Sequence, residues 1–138
     1  MMSKKIDREH YADNADKIMQ KWSQEGKGIN LTKTKIRNFL TMMNELYELT
    51  RIDKSEKLKP EVISKIQYTK MKYYYEIGRD RDQNKDKRNL SGSEEFFKRT
   101  DFLEYLDGIG GSREELIYVC HYMEALVAYH KYYRTQKD

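Results

Sequence analysis

The chain contains 138 residues, of which 38% are hydrophobic and 36% charged, and its mean hydropathy is −1.02. That length allows one modest hydrophobic core, so we expect a single domain over residues 1–138, and the formal net charge of +4 is too small to indicate nucleic-acid binding by itself. A single cysteine excludes an intrachain disulfide, no apolar run is long enough to cross a membrane and no secretory signal is recognisable, so the sequence predicts a cytoplasmic protein without a membrane partner.

Two amphipathic helices are predicted in the first part of the chain. The first covers about residues 7–23, places its apolar residues on one side and ends before a glycine-containing loop. The second begins after Thr32, a suitable N-cap residue, and ends near Arg51. Its apolar residues recur at spacings of three and four, and they are Ile36, Phe39, Leu40, Met43, Leu46 and Tyr47.

A third helix is predicted to begin at Pro60, because a proline costs nothing in the first turn of a helix, and Gly78 is a candidate for its end. Its predicted apolar face consists of Val62, Ile63, Ile66, Tyr73, Tyr74 and Ile77. The following residues, 79–89, are charged and lack aliphatic side chains. A solvated loop is one interpretation of this stretch, and a functional segment is the other.

Two S-x-x-E sequences, at residues 91–94 and 112–115, mark the starts of further helices. The first precedes a short helix through residues 96–106, and the second precedes a last helix from about Arg113 to Tyr133. Because the last helix is apolar over a wide arc, we expect it to be the most buried. No strand-like alternation is present, so the predicted fold is all-α, a compact bundle of about five helices.

No complete catalytic or metal-binding motif is present in the sequence. His121 and Glu124 have a spacing that a metal site or an acid/base pair could use, but the other members of such a site are missing. Cys120 lies on the apolar arc of the last helix, where a buried, inert thiol is expected. The glycines do not match a phosphate-binding loop. We therefore expect a protein that is not an enzyme and has no catalytic residues, metal or cofactor.

Basic residues are concentrated at the start of the second helix. Lys33 and Arg37 are four residues apart and share one edge of the apolar stripe, while Lys35 lies at the opposite edge. Cations are unfavourable near a helix N-terminus unless an anion binds there, so a bound phosphate is one explanation for this pattern. The other explanation is that these side chains simply extend into water.

A second basic pattern runs along the third helix. Lys65, Tyr68, Lys72, Tyr75 and Arg79 are separated alternately by three and four residues and form one stripe roughly opposite the apolar face. Cations that hold phosphates, with rings that stack on bases, would suit RNA. The same surface would equally suit packing against another helix or another copy of the chain.

Four stretches of the sequence resemble the small subunit of type III-A CRISPR (Csm) effector complexes. The most specific is the run of residues 122–133, and the others are residues 31–40, 75–79 and 102–106. Their order and spacing agree over most of the chain. Residues 81–93 are longer and more polar than the family pattern.

This resemblance implies a helical bundle that serves as a non-catalytic subunit of an RNA-guided antiviral interference complex. Its implied partners are crRNA, target RNA, further copies of itself, the crRNA-backbone subunit and the large polymerase-like subunit. Repeated copies would line the channel that holds the guide–target duplex and would contact its backbone. The RNA-binding candidates that the resemblance implies are Lys33, Lys35, Arg37 and Arg79, and helical geometry alone adds Arg51, Lys65 and Lys72.

Two alternatives without a CRISPR role stay open. A free-standing nucleic-acid-binding protein would need a recognition helix with base-reading side chains, and the sequence contains no convincing one. A helical protein-interaction adaptor would carry the same basic stripe as ordinary surface. RNA titrations at two salt concentrations would separate these alternatives.

Overall fold

Six α-helices make up most of residues 4–134, the part of the chain that this computed structural model describes. They are α1 (Tyr11–Gln24), α2 (Lys33–Ile52), α3 (Pro60–Gln83), α4 (Gly92–Thr100), α5 (Phe102–Asp107) and α6 (Arg113–Tyr133). Within residues 4–134, the β-type pairing amounts to one isolated bridge between Lys57 and Ser112. The all-α prediction is confirmed.

The additional helix arises because the short helix predicted through residues 96–106 is divided into α4 and α5. Asp101 separates the two, and its φ of 54° lies in the left-handed region, which ends α4. The Thr100 hydroxyl then accepts the backbone N–H of Phe102 at 3.3 Å, at the first residue of α5.

The predicted end of the third helix is also wrong. Gly78 does not end α3, which continues to Gln83. A glycine inside a helix costs only about 1 kcal/mol relative to alanine. The added turn is held from both sides, because Asp80 is ion-paired to α2 and Arg81 to α4. Only the second half of the predicted loop of residues 79–89 is therefore a loop.

The buried face of α3 is narrower than the sequence suggests. Ile63 and Tyr74 are 40% and 43% exposed, although the sequence predicts both on the apolar face. A residue turns about 100° around a helix axis, so both lie well to one side of the buried stripe. That stripe consists of Val62, Ile66, Thr69, Tyr73 and Ile77.

The last helix, α6, lies at the centre of the bundle and packs against α1 and α2 along much of its length. Cys120 is buried there, as predicted, and its thiol donates to the carbonyl of Met43 at 3.6 Å. His130 is also buried, with Nε2 2.7 Å from the carbonyl oxygen of Leu31. These contacts fix α2 against α6, so the opposite side of α2 is left to face α3 and solvent.

Candidate nucleic-acid interface

An open groove of about 450 Å³ runs between α2 and α3. The two helices are antiparallel, because the start of α2 meets the end of α3 at Lys35 and Asp80, whereas Glu45 lies 3.8 Å from Lys65 near the start of α3. The groove lining includes Asn38, Thr41, Met42 and Glu45 from α2, and Lys72, Glu76 and Arg79 from α3.

A buried aromatic contact holds the two walls of the groove together. The hydroxyl of Tyr73 on α3 donates to the backbone carbonyl of Phe39 on α2 at 2.8 Å. The two rings meet edge to face, with centroids 5.5 Å apart. Burial raises the pKa of Tyr73 well above its ordinary value, so this hydroxyl keeps its proton and remains a donor.

Three basic residues form a row along α3, and two of them, Lys72 and Arg79, line the groove. Lys65, Lys72 and Arg79 follow one another at intervals of seven residues, which places them about 10.5 Å apart along the helix axis. The ammonium groups of Lys65 and Lys72 each lie 5.4 Å from the centre of the Tyr68 ring. A cation–π contact of this kind orders an exposed lysine without neutralising its charge.

The ion pairs of this row are loose. Lys65 is 3.8 Å from Glu45, and Arg79 is 3.9 Å from Glu76. Lys72 forms no ion pair with any residue of the described part. Ion pairs at such distances are weak, so Lys65 and Arg79 can exchange their partners for phosphate at small cost, and Lys72 has no ion pair among the described residues to give up.

Lys33 and Arg37 lie outside the groove, on the exposed surface of α2. Neither has an ion-pair partner among residues 4–134, and the first turn of α2 contains no acidic residue. Thr32 caps the helix as predicted, because its hydroxyl accepts the backbone N–H of Lys35 at 3.2 Å. The structure thus presents Lys33 and Arg37 as a second, separate basic site.

The other two predicted RNA-binding residues, Arg51 and Lys35, are held in close ion pairs. Arg51 lies about 21 Å along α2 from Arg37 and pairs with Glu48 at 3.2 Å, so the structure does not bring it into either site. Lys35 faces α3, where its ammonium is 2.8 Å from Glu76 and 3.2 Å from Asp80. Burial lowers the pKa of Lys35, but the hydrogen bonds to both carboxylates outweigh that effect and raise the pKa above its ordinary value.

Sequence reasoning missed the acidic part of this surface. Glu45 and Glu76 line the groove together with the cations. Each belongs to a different helix, so the pattern of a single helix cannot show which cation it faces. The one available signal was the spacing of Glu76 and Arg79, which are three residues apart and therefore neighbours.

The other candidate chemistry lies away from the groove. His121 Nδ1 is 2.9 Å from Glu124 Oε1, and the imidazole packs against Tyr11 and Tyr118. Residues 4–134 contain no group of three side chains that could hold a metal ion. Burial raises the pKa of the Cys120 thiol to about 12, which suppresses the reactive thiolate. No helix in the described part of the chain is long and apolar enough to span a membrane.

Comparison with known proteins gives a consistent result. Residues 9–136 match the family model described as Csm2 Type III-A. A "CRISPR system Cms protein Csm2" from Mycobacterium tuberculosis is 32% identical over 105 residues, covering 76% of this chain and 77% of the relative. The protein of the same name from Streptococcus thermophilus is 30% identical over 126 residues, covering 91% of this chain and 92% of the relative. The protein of the same name from Enterococcus italicus is 30% identical over 106 residues, covering 75% of this chain and 69% of the relative.

Proposed function

The chain belongs to the type III-A Csm2 family and is a small subunit of a type III-A CRISPR complex, and on that premise we propose that it binds the backbone of the crRNA–target RNA duplex. The observation that carries this proposal is the row of Lys65, Lys72 and Arg79 along α3, of which Lys72 and Arg79 line the α2–α3 groove. The loose ion pairs of Lys65 and Arg79, and the lack of an ion pair at Lys72 among the described residues, leave these three cations available to phosphates.

Contact with the backbone is sufficient for this role. Base pairing between guide and target reads the sequence, so a lining subunit needs to recognise only the shape and charge of an A-form duplex. The row on α3 has cations and a tyrosine but no set of side chains arranged to read base edges. Tyr75 is 67% exposed beside the row, where its ring can touch a ribose or an unpaired base.

Lys33 and Arg37 provide a second phosphate site in this proposal. They extend from the first turns of α2, where free N–H groups and the helix dipole also favour an anion. Arg51, about 21 Å farther along α2 and paired with Glu48, has no part in this second site. The net charge of +4 is modest, but repeated copies would act on the same duplex together.

The subunit acts in the cytoplasm and has no catalytic step of its own in this proposal. The cleavage of RNA and the synthesis of cyclic oligoadenylate fall to other subunits. Its protein partners are further copies of itself, the crRNA-backbone subunit and the large polymerase-like subunit.

A protein-interaction role without RNA contact is the second candidate, and one observation favours it. Met71 and Tyr75 on the outer face of α3 are 57% and 67% exposed, which is large for apolar side chains on a single helix. An adaptor would use this face to bind another protein, and its basic row would stay in solvent.

A titration of the full-length chain with RNA duplexes of two unrelated sequences, at about 50 and 200 mM salt, tests the proposal. We expect weak binding that falls steeply with salt and is the same for both sequences, because released counterions drive it. Salt-independent binding, or a strong preference for one sequence at constant salt, would contradict backbone recognition. Absence of RNA binding, both alone and in the assembled complex, would favour the adaptor.

A further inference from the structure

The ammonium of Lys35 occupies an unusual place for a basic residue in a basic groove. Its side chain is only 20% exposed, and it lies between two carboxylates of the opposite helix. Glu76 and Asp80 are themselves 17% and 19% exposed. Lys35 therefore presents little of its charge to an approaching phosphate, in contrast to the exposed Lys33 two residues earlier.

Lys35 is the main positively charged partner of both carboxylates. Among residues 4–134, Glu76 has one other cationic partner, Arg79, at the long distance of 3.9 Å. Asp80 accepts a hydrogen bond from the hydroxyl of Ser93, which is a neutral partner. Lys35 is thus the close positive charge for two partly buried negative charges beside the groove.

From this geometry we infer that Lys35 is a positioning residue, which masks Glu76 and Asp80 so that Arg79 and Lys72 remain free to bind RNA phosphate. This inference rests on the proposed function. It assigns Lys35 a role different from that of Lys33 and Arg37, although all three are basic residues of the same helix start.

The charges of the groove explain why masking matters. Its charged lining consists of Lys35, Lys72 and Arg79 on the positive side and Glu45 and Glu76 on the negative side. Without Lys35 the positive and negative groups are equal in number, so the groove loses its net attraction for phosphate. Glu76 then has Arg79 as its nearest cation, and this partly shielded carboxylate holds Arg79 more tightly than it does now.

Lys35→Met tests this role, because methionine keeps most of the apolar stem and removes the charge. We expect the Kd for an RNA duplex to rise about tenfold at 0.1 M salt, close to the loss of one phosphate contact. The decisive variant is Lys35→Met/Glu76→Gln. Removing the unmasked carboxylate should bring the Kd back to within about threefold of wild type, whereas Glu76→Gln alone should change it little.

A matched control separates masking from bulk charge. Lys35→Met/Asp13→Asn gains the same charge on the exposed surface of α1, a helix that does not line the groove, and should leave the Kd as high as in Lys35→Met. Equal recovery in both double variants would overturn the inference in favour of bulk charge. No recovery with Glu76→Gln would overturn it in favour of a direct contact between Lys35 and phosphate.

Two further measurements keep the result interpretable. Lys35→Arg preserves both ion pairs and should bind RNA like the wild type, and thiol labelling of Cys120 reports whether each variant is folded. If Lys72→Ala leaves the Kd and its salt dependence unchanged, the proposed function fails. If Lys72→Ala weakens binding but Glu76→Gln does not rescue Lys35→Met, only the masking role fails.

Discussion

The α2–α3 groove and the loop of residues 84–91 are both rich in basic residues, but the two regions hold those residues differently. On the groove wall, Lys72 and Arg79 project from a continuous helix and have weak partners or none among the described residues. In the loop, the ammonium of Lys87 donates to the carbonyl of Arg81 at 3.1 Å, and Arg88 lies 3.5 Å from Asp86.

The loop also uses its polar groups for its own conformation. Asp86 accepts hydrogen bonds from the side chain of Asn89 and the backbone N–H of Arg88, and these lower the pKa of the Asp86 carboxyl below its ordinary value. We therefore expect RNA contact from the cations that a rigid backbone directs outward rather than from those of the loop. A cation on a helix loses less conformational entropy when it binds phosphate.

The largest expected effect comes from removing the row on the groove wall. Lys65→Ala/Lys72→Ala/Arg79→Ala should weaken RNA binding on the order of a hundredfold at 0.1 M salt. The slope of log Kd against log salt should also fall by about two to three, because up to three phosphate contacts are lost. Titration over several salt concentrations measures both quantities.

The matched variant for this experiment is Lys85→Ala/Lys87→Ala/Arg88→Ala, which removes the same formal charge from the loop. We expect a loss several times smaller, with a slope change below one. Equal losses in the two variants would show that only total charge matters. A larger loss from the loop would move the RNA path to residues 84–91.

The second site should give an intermediate effect. Lys33→Ala/Arg37→Ala removes two exposed cations that are four residues apart and should raise the Kd about thirtyfold at 0.1 M salt. Lys17→Ala/Lys21→Ala on α1 has the same spacing and the same change in charge, on a helix that packs against α6. If the α1 variant binds RNA as weakly as the α2 variant, the start of α2 is not a phosphate site.

Much of this surface could be predicted from the sequence because it depends on single helices. The helix starts at Thr32 and Pro60 follow from residue type, and the basic stripe on α3 and the opposite placement of Lys35 and Arg37 follow from helical periodicity. Local patterns of this kind are fixed by residues within a few turns of each other.

Contacts between elements account for what could not be predicted. The pairing of Lys35 with Glu76 joins residues 41 positions apart, and the left-handed Asp101 that divides α4 from α5 depends on the packing of both helices. Glu115 is another case, because its carboxylate accepts the backbone N–H of Ile6 at 2.6 Å, 109 positions away. Periodicity carries no information about such partners.

The rigidity of the groove is tested by a pair of tyrosines two residues apart. Tyr73→Phe removes the hydroxyl that ties α3 to the Phe39 carbonyl and should lower the free energy of unfolding by about 1 kcal/mol. Tyr75→Phe, at an exposed position, should leave it within about 0.5 kcal/mol of wild type. Chemical denaturation measures both, and equal stability of the two variants would mean that this tie does not hold the groove.

The last comparison concerns the two glycines on either side of the charged loop. Gly78 lies inside α3, and an added Cβ would meet no atom within 4 Å, so Gly78→Ala should raise the free energy of unfolding by about 0.5–1 kcal/mol. Gly92 begins α4, where the backbone of Asn30 occupies the place of a Cβ, so Gly92→Ala should lower it on the order of 1–3 kcal/mol.

The changes in the free energy of unfolding expected for Gly78→Ala and Gly92→Ala have opposite signs, and they test where helix α3 of the groove gives way to the loop. The two substitutions are chemically the same and both positions are helical, so helix propensity alone would make both stabilising, Gly92→Ala the less so at the helix end. Thermal unfolding of both variants shows at which position contacts with neighbouring atoms, rather than helix propensity, decide the change in stability.

A destabilising Gly78→Ala would mean that α3 is not helical at Gly78. Arg79 would then lose the rigid backbone that distinguishes the groove from the loop, and its place in the RNA-binding row would have to be given up. A stabilising Gly92→Ala would instead show that the backbone of Asn30 does not approach Gly92 closely.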